Sequence, residues 1–409
     1  MNETPCRICN EPLVPVIDFG RQPLGNGFLL PDQFEDEHFF PMRVGFSDKS
    51  MMLQLIDQPA PELMFHENYA FLSGTSKHME QHFREFAQQL MGSKCLDNDD
   101  PFVVELGCND GIMLKNFAQS NVRHLGIEPA KNVATIANGK GVRTLSEFFT
   151  ESVAQRILES DGQADAIIAA NVLCHIPDIR NVIAGIRALL KPTGVLVFED
   201  PYLGDVISKT SYDQVYDEHV FLFSGHSVQY LFGLYDMELI DVQPQKTHGG
   251  SMRYHLAQTG AYLVQESVSK ILENEKKLGL NRASSFCDFS RKVEQSRVDL
   301  VSLLQDLKSQ GKRIAGYGAT SKSTTILNYC NIGPDLIEFI SDTTPIKQGK
   351  FTPGMHIPVK TYDTFVANPP DYAVLFAWNH AEEIMAKEHG FMEGGGRWIV
   401  HVPKVGVLE

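Results

Sequence analysis

The sequence predicts an α/β protein of three parts: a central doubly wound parallel sheet, a second and smaller α/β unit towards the C-terminus, and a small N-terminal lobe. Three observations carry this. Apolar strand-like runs alternate with helix-favouring stretches from Phe102 to Glu199. The same alternation restarts at Arg313 after a mostly polar, helical stretch. And 409 residues exceed what one core ordinarily serves, about 100 to 200 residues per domain. The expected divisions are 1–80, 81–260 and 261–409.

Phe102 to Leu106 reads as a buried strand, Gly111 to Ala118 as a helix, His124 to Glu128 as a strand and Ala130 to Asn138 as a helix. Ala164 to Ala170 and Gly194 to Glu199 are further strands, bracketing a helix from Ile179 to Leu190. Near-continuous apolar strands joined by helices are the pattern of a parallel sheet covered on both faces. The stretch from Ala261 to Gln310 is helix-favouring and polar, and leads into the strand Arg313 to Gly318. A helix over Thr324 to Cys330 and buried strands at Leu336 to Ser341 and Tyr372 to Trp378 complete the second unit. The first hundred residues are the least regular, and no fixed-period repeat or low-complexity tract stands out.

Composition narrows the function. Apolar residues at 43% and charged residues at 21% are globular proportions. Thirty-six basic against fifty-one acidic residues leave a formal charge of -15, which disfavours non-specific attraction to nucleic acid or an anionic membrane. No apolar run reaches the roughly 18 to 20 residues of a membrane helix, and the N-terminus lacks the apolar core of a signal peptide. The expectation is a cytoplasmic chain without nucleic-acid or membrane partners, a monomer or small homo-oligomer. Seven scattered cysteines are an odd number and read as reduced thiols.

Glu105-Leu106-Gly107-Cys108-Asn109-Asp110-Gly111 leaves a strand and enters a helix. Its terminal glycines permit a tight turn and close backbone approach to a ligand. A dinucleotide fingerprint wants glycine where this chain has Asn109, so pyrophosphate is the weaker reading. Glu128 ends the second strand, where a carboxylate can accept both hydroxyls of an adenosine ribose. Asn171 follows the fourth strand and Asp200 the fifth, at the sheet edge where such folds bind ligands.

The run from Val103 to Leu203 resembles the class I methyltransferases, Rossmann-like proteins whose methyl donor is S-adenosylmethionine. The resemblance implies that Glu105 faces the methionine amino group, that Glu128 holds the ribose and that Asn171 lies near sulfur and adenine. Gly107, Asn109 and Gly111 complete the turn. Phe148 and Phe149 are either covers for the adenine face or ordinary core aromatics.

The likeness narrows at Tyr216-Asp217-Glu218-His219, followed by Phe221 and Phe223-Ser224. Together with Asn68 to Ser76, His248-Gly249-Gly250-Ser251-Met252-Arg253 and Ile346 to Gly354, in order along nearly the whole chain, it resembles the nucleotide-sugar C-methyltransferases. That family acts on 4-keto-6-deoxy sugars for antibiotics or surface glycans. A carbon beside a ketone becomes nucleophilic once a base removes its proton and donors stabilise the enolate oxygen. His219 is the expected base, Glu218 an orienting or pKa-raising neighbour, and Tyr216 and Tyr69 the hydroxyl donors. Ser73, in the same motif as Tyr69, is expected at the cofactor.

Gly316-Tyr317-Gly318-Ala319-Thr320-Ser321-Lys322 stands at a strand-to-helix turn suited to phosphate. The expected substrate-binding residues are His248, Arg253, Thr320, Lys322, Lys347, Lys350, Trp378 and Asn379, for a nucleotide diphosphate sugar of dTDP or GDP type. Two other readings stay open: a nicotinamide-dependent sugar-nucleotide dehydrogenase or epimerase, and a non-catalytic sugar-nucleotide-binding module. The nucleotide base, the sugar's stereochemistry and the choice of C3 or C5 are not in the sequence, and C3 follows from the resemblance alone.

Cys6-Arg7-Ile8-Cys9 has the spacing of half a zinc site. The resemblance implies a second pair before Met52-Leu53-Gln54-Leu55, but this chain has Ser47 and Ser50 there. Two hydroxyls are poor replacements for thiolates, so the lobe is expected to fold without zinc, with His38 and His66 leaving an unusual site open.

Overall fold

The computed structural model describes residues 4–64 and 77–408. Near the N-terminus β1 (Val14–Pro23), β2 (Phe39–Ser47) and β3 (Met52–Leu55) pair antiparallel. The sequence gives little sign of them. Register shifts at Pro15/Ile17 and Asp18/Arg21 break the two-residue period of β1, so its apolar residues do not alternate cleanly.

The central unit begins with β4 (Phe102–Leu106), β5 (Arg123–Ile127), β6 (Thr144–Leu145), β7 (Ala164–Ala170) and β8 (Leu190–Pro201), all parallel. All five residues of β4 are buried, as in a sheet covered on both faces. Val104, Leu106 and Ile167 enter one core, and Val103, Ala166 and Ile168 the other. The helix expected at Gly111 begins only at Leu114, because Gly111 is left-handed (φ +76°) and belongs to the turn. The other two expected helices run Lys131–Gly139 and Ile179–Leu189, with a further helix, Glu151–Asp161, between them.

After β8 the chain forms β9 (Phe221–Leu222), then β10 (Met237–Gln245) and β11 (Ser251–Gln258). β10 and β11 complete a seven-stranded sheet of order β10-β11-β8-β7-β4-β5-β6. The order reverses between β4 and β7, which makes their carboxyl ends the ligand-binding edge. β9 instead leaves this sheet and pairs with β3, closing the four-stranded sheet β1-β2-β3-β9.

Helices Glu266–Leu278 and Phe286–Ser309 lead to the last unit. Its sheet consists of β12 (Ile314–Tyr317), β13 (Ile340–Ser341), β14 (Val359–Lys360), β15 (Tyr372–Leu375), β16 (Arg397–Val400) and β17 (Gly406–Leu408), in the order β14-β13-β12-β15-β16-β17. The strand expected from Leu336 is reduced to β13, because Leu336 and Ile337 turn back to bond the Gly333 carbonyl. Phe286, Phe289, Val293, Leu300 and Leu304 of the long helix lie in one core with Phe46 and Val44 of the N-terminal sheet and Ile314 and Ile326 of the C-terminal unit. These two ends of the chain therefore pack as one mass.

The stretch between Gln214 and β9 is held by both the N-terminal and the C-terminal parts of the chain. Thr325 Oγ1 donates to the Val215 carbonyl at 2.8 Å, Asn26 Nδ2 to Glu218 at 2.7 Å, and the Leu55 amide to the Val220 carbonyl at 2.8 Å. Among the described residues, no helix is long and apolar enough to cross a membrane.

Candidate active site

A cleft of about 980 Å³ runs from the carboxyl ends of β4, β5 and β7 to the turn after β12. Small-molecule sites commonly span roughly 300 to 1,000 Å³, so this one has room for a large ligand or two smaller ones.

Its first half is built by the turn after β4. Gly107 has φ +62°, and a Cβ there would sit 2.4 Å from Val172 Cγ2 in the loop after β7. Glycine is required on both counts, backbone and space. Glu128 braces the turn: its Oε2 accepts the Asn109 amide at 3.0 Å and its Oε1 the Ala130 amide at 2.9 Å. Each oxygen keeps a lone pair for a further donor, and the side chain lines the cleft. Burial raises its pKa, against the two amide bonds. Gly107, Asn109, Phe148, Phe149 and Asn171 share this wall.

Glu105 and Gly111 lie behind the wall rather than on it. Glu105 is buried with its Oε2 lacking a hydrogen-bond partner among the described residues, and burial, then the charges of Glu128 and Asp110, hold its carboxyl well above the usual range. The two phenylalanines part company. Phe149 is 7% exposed and belongs to the central core, whereas Phe148 is 44% exposed at the rim. Both line the cleft, Phe148 with far more of its ring open to a ligand.

At the middle of the cleft stands His219. Its Nδ1 is 2.7 Å from the Gln214 carbonyl oxygen, which fixes the proton on that nitrogen, and its Nε2 accepts from the Tyr216 hydroxyl at 2.7 Å. Burial holds the imidazole well below its ordinary pKa, with His175, Lys322 and His248 adding in the same direction. His175 stacks on it with ring centroids 5.2 Å apart, and burial pushes His175 down to about 4.

Glu218 does not hold His219 as expected. Both ring nitrogens are engaged elsewhere, the Glu218 carboxylate accepts from Asn26, and the pKa of His219 moves down rather than up. Consecutive side chains simply project in different directions here. The orienting group is the Gln214 main-chain carbonyl, which no residue type could have signalled. His175 was also missed, although its position four residues after Asn171, in the loop at the ligand-binding edge, was a usable sign.

The far half of the cleft comes from the C-terminal unit. Thr320, Lys322, Lys347 and Asn379 line it, with His248 between the halves. Thr320 caps the helix Ser321–Tyr329, its Oγ1 accepting from the Ser323 amide at 3.1 Å. Lys322 Nζ donates to the His248 carbonyl at 3.1 Å and Lys347 Nζ to the Ala319 carbonyl at 2.8 Å. Burial lowers the pKa of both. The His248 carbonyl also accepts from Gln214 Nε2, and its Nε2 lies 3.1 Å from Asn171 Nδ2.

Three expected substrate residues are not on this wall. Arg253 lines a separate cavity of about 330 Å³, with Nε bonded to Glu199 at 2.5 Å, Nη1 to Gln89 at 2.6 Å, and its guanidinium 3.9 Å from the Phe86 ring centroid. A buried, satisfied guanidinium is a structural brace. Trp378 packs its ring where a Gly249 Cβ would fall 2.3 Å away, and bonds Asp213 Oδ2 through Nε1 at 2.6 Å. Lys350 is absent from the lining. Tyr69, Ser73 and His66 lie outside the described residues.

In the N-terminal lobe Cys6 Sγ is 3.3 Å from Ser50 Oγ, and Cys9 Sγ is 3.4 Å from Ser47 Oγ. The four positions do converge. Two thiols and two neutral hydroxyls are nevertheless not the four thiolate or imidazole ligands of a structural zinc, so the donor set does not fit that metal. His38 is exposed and lends no ligand to this group.

A seven-stranded sheet of this order, with a glycine turn braced by an acid at the end of the second strand, defines a class I methyltransferase. Models for a methyltransferase domain, a C-methyltransferase C-terminal domain and a proposed zinc binding domain match residues 76–242, 246–403 and 6–65. Over 408 residues the chain is 34% identical to the C-methyltransferase NovU of Streptomyces niveus, covering 99% of this chain and 96% of that one. A ubiquinone biosynthesis O-methyltransferase of Bordetella avium (strain 197N) is 30% identical over 117 residues, 28% of this chain and 45% of that protein. The chain belongs to the C-methyltransferase family, and its methyl donor is S-adenosylmethionine. The residues present fit that donor: a glycine-only turn, a carboxylate with lone pairs that lines the cleft, and a buried carboxyl oxygen without a partner among the described residues.

Proposed function

We propose that the chain methylates C3 of a nucleotide-linked 4-keto-6-deoxy sugar, with His219 as the base, for a surface glycan or natural product. In this reading it acts in the cytoplasm as a monomer or small homo-oligomer. The observation that carries the proposal is a neutral buried imidazole, its proton pinned on Nδ1, at the seam between the donor-binding half of the cleft and the half that bears the lysines.

S-adenosylmethionine supplies an electrophilic methyl group. Glu128 would accept the ribose hydroxyls, Glu105 would regain its charge beside the methionine ammonium, and Phe148 would cover the adenine, with Asn171 alongside. Thr320, Lys322, Lys347 and the amino end of the helix Ser321–Tyr329 would hold the diphosphate, with His248 and Asn379 completing the wall.

A carbon acceptor needs a base and an enolate-stabilising donor. Tyr216 serves the second need by turning its hydroxyl from His219 Nε2 to the C4 oxygen, which exposes the Nε2 lone pair for the sugar proton. The Gln214 carbonyl then stabilises the imidazolium through Nδ1–H. Burial excludes water from this transfer and keeps the imidazole unprotonated beforehand.

The test is incubation with trideuteromethyl donor and a panel of 4-keto-6-deoxy nucleotide sugars, read by mass spectrometry and by NMR of the product. Label at C3 is expected. Label only at C5, or only on oxygen, would overturn the assignment.

A further inference from the structure

Cys174 and His175 sit in the short turn after β7, directly beneath His219, and neither has a place in the chemistry above. One donor atom from each of Cys174, His175 and His219 lies within 4.8 Å of the others. We propose that these three side chains form a binding site for one soft divalent cation, zinc or its like, which opens on the cleft and shuts down the enzyme when filled. The blocking effect rests on His219 being the base; the binding does not.

The donor set suits such a cation. Two imidazoles and a thiol are ligands that zinc prefers, and three protein ligands with a fourth position left open make a labile site rather than a closed structural one. Zinc bonds of about 2.0 to 2.3 Å bring donors to within ~3.5 Å of each other. The side chains must therefore draw in slightly, and His175 is the least buried of the three. His175 and His219 line the cleft, which supplies the path in, while Cys174 stands fully buried behind them.

The surroundings suit it as well. A metal-bound histidine ordinarily donates its other ring N–H to a carbonyl or carboxylate. His219 already does so, through Nδ1 to Gln214, leaving Nε2 as the ligand atom. Behind Cys174, Asp200 Oδ2 accepts the Cys174 amide at 3.2 Å, which fixes the turn that carries the sulfur. On binding, the Cys174 thiol loses its proton to solvent, His219 Nε2 exchanges the Tyr216 hydroxyl for the metal, and no lone pair is left for the sugar.

The cation is tested directly with cobalt, whose bond to a thiolate gives a near-ultraviolet charge-transfer band. In a Cys6→Ser, Cys9→Ser background, one equivalent of cobalt should produce that band, and Cys174→Ser should abolish it. Should that background fail to fold, calorimetric titration of the otherwise native chain with zinc replaces it, and Cys174→Ser should lose one bound equivalent. Zinc should inhibit methyl transfer reversibly in chelator, and Cys174→Ser should raise the half-inhibitory concentration at least tenfold, each protein's metal-free rate serving as its own reference. No thiolate band, or the same bound stoichiometry and inhibition in Cys174→Ser, would overturn the site. Binding lost in Cys174→Ser but without any effect on deprotonation in the wild type would leave the site standing and remove the base assignment of His219 instead.

Discussion

Glu128→Gln separates a cofactor ligand from a structural brace. In the structure the two carboxylate oxygens hold the Asn109 and Ala130 amides at 3.0 and 2.9 Å. Truncation to alanine would orphan both amides and confuse binding with folding. Glutamine keeps the shape and one acceptor oxygen, and loses the charge. Hydrogen bonds to a charged group contribute about 1.5 to 3 kcal/mol, against about 0.5 to 1.5 for neutral pairs. With one ribose hydroxyl losing its charged acceptor and the other falling from a charged to a neutral one, S-adenosylhomocysteine affinity should fall by about 2.5 to 4.5 kcal/mol, roughly 10²- to 10³-fold in Kd. Calorimetric titration measures this, and a thermal melt on the same sample shows whether the turn has survived. An unchanged Kd in a folded variant would remove Glu128 from the ribose.

Two further expectations concern protonation and metal. Because burial depresses both histidines, His219 well below its ordinary value and His175 to about 4, each stays neutral as the pH falls from 7 to 5.5. Nitrogen-15 spectra of the imidazoles should show His219 as the Nδ1–H tautomer across that range, and a charged ring at pH 6 would contradict the assignment. After desalting in chelator the native chain should hold much less than one zinc, whereas Ser47→Cys with Ser50→Cys should retain about one and melt higher. Stoichiometric, chelator-resistant zinc in the native chain, measured by metal analysis, would show that other groups had replaced the two serines.

What was legible in the sequence was what short stretches encode. Buried runs such as Ala164–Ala170 announce a parallel strand by composition alone, and Gly107 and Glu128 announce a ligand turn by type and place. The N-terminal sheet was not legible, because β1 is bulged and its fourth strand is Phe221–Leu222, some 170 residues from β3. Long-range pairing of that kind leaves no periodic mark. In the site, His219 and its neighbour Tyr216 could be named from their motif, but the group that holds the other ring nitrogen could not. Gln214 acts through the main chain, and Arg253 carries the charge of a phosphate ligand yet is consumed by Glu199 and Gln89.

The central claim is that this C-methyltransferase activates a carbon beside a ketone through His219, and proton exchange tests it most directly. The nucleotide sugar is held in heavy water with S-adenosylhomocysteine replacing the donor, so that deprotonation is seen without methyl transfer. NMR then follows the proton at C3. The native enzyme should exchange it, and His219→Asn, with both ligands still bound, should be slower by at least 10² to 10⁴, the usual contribution of a general base. Exchange at the native rate in His219→Asn would contradict the account.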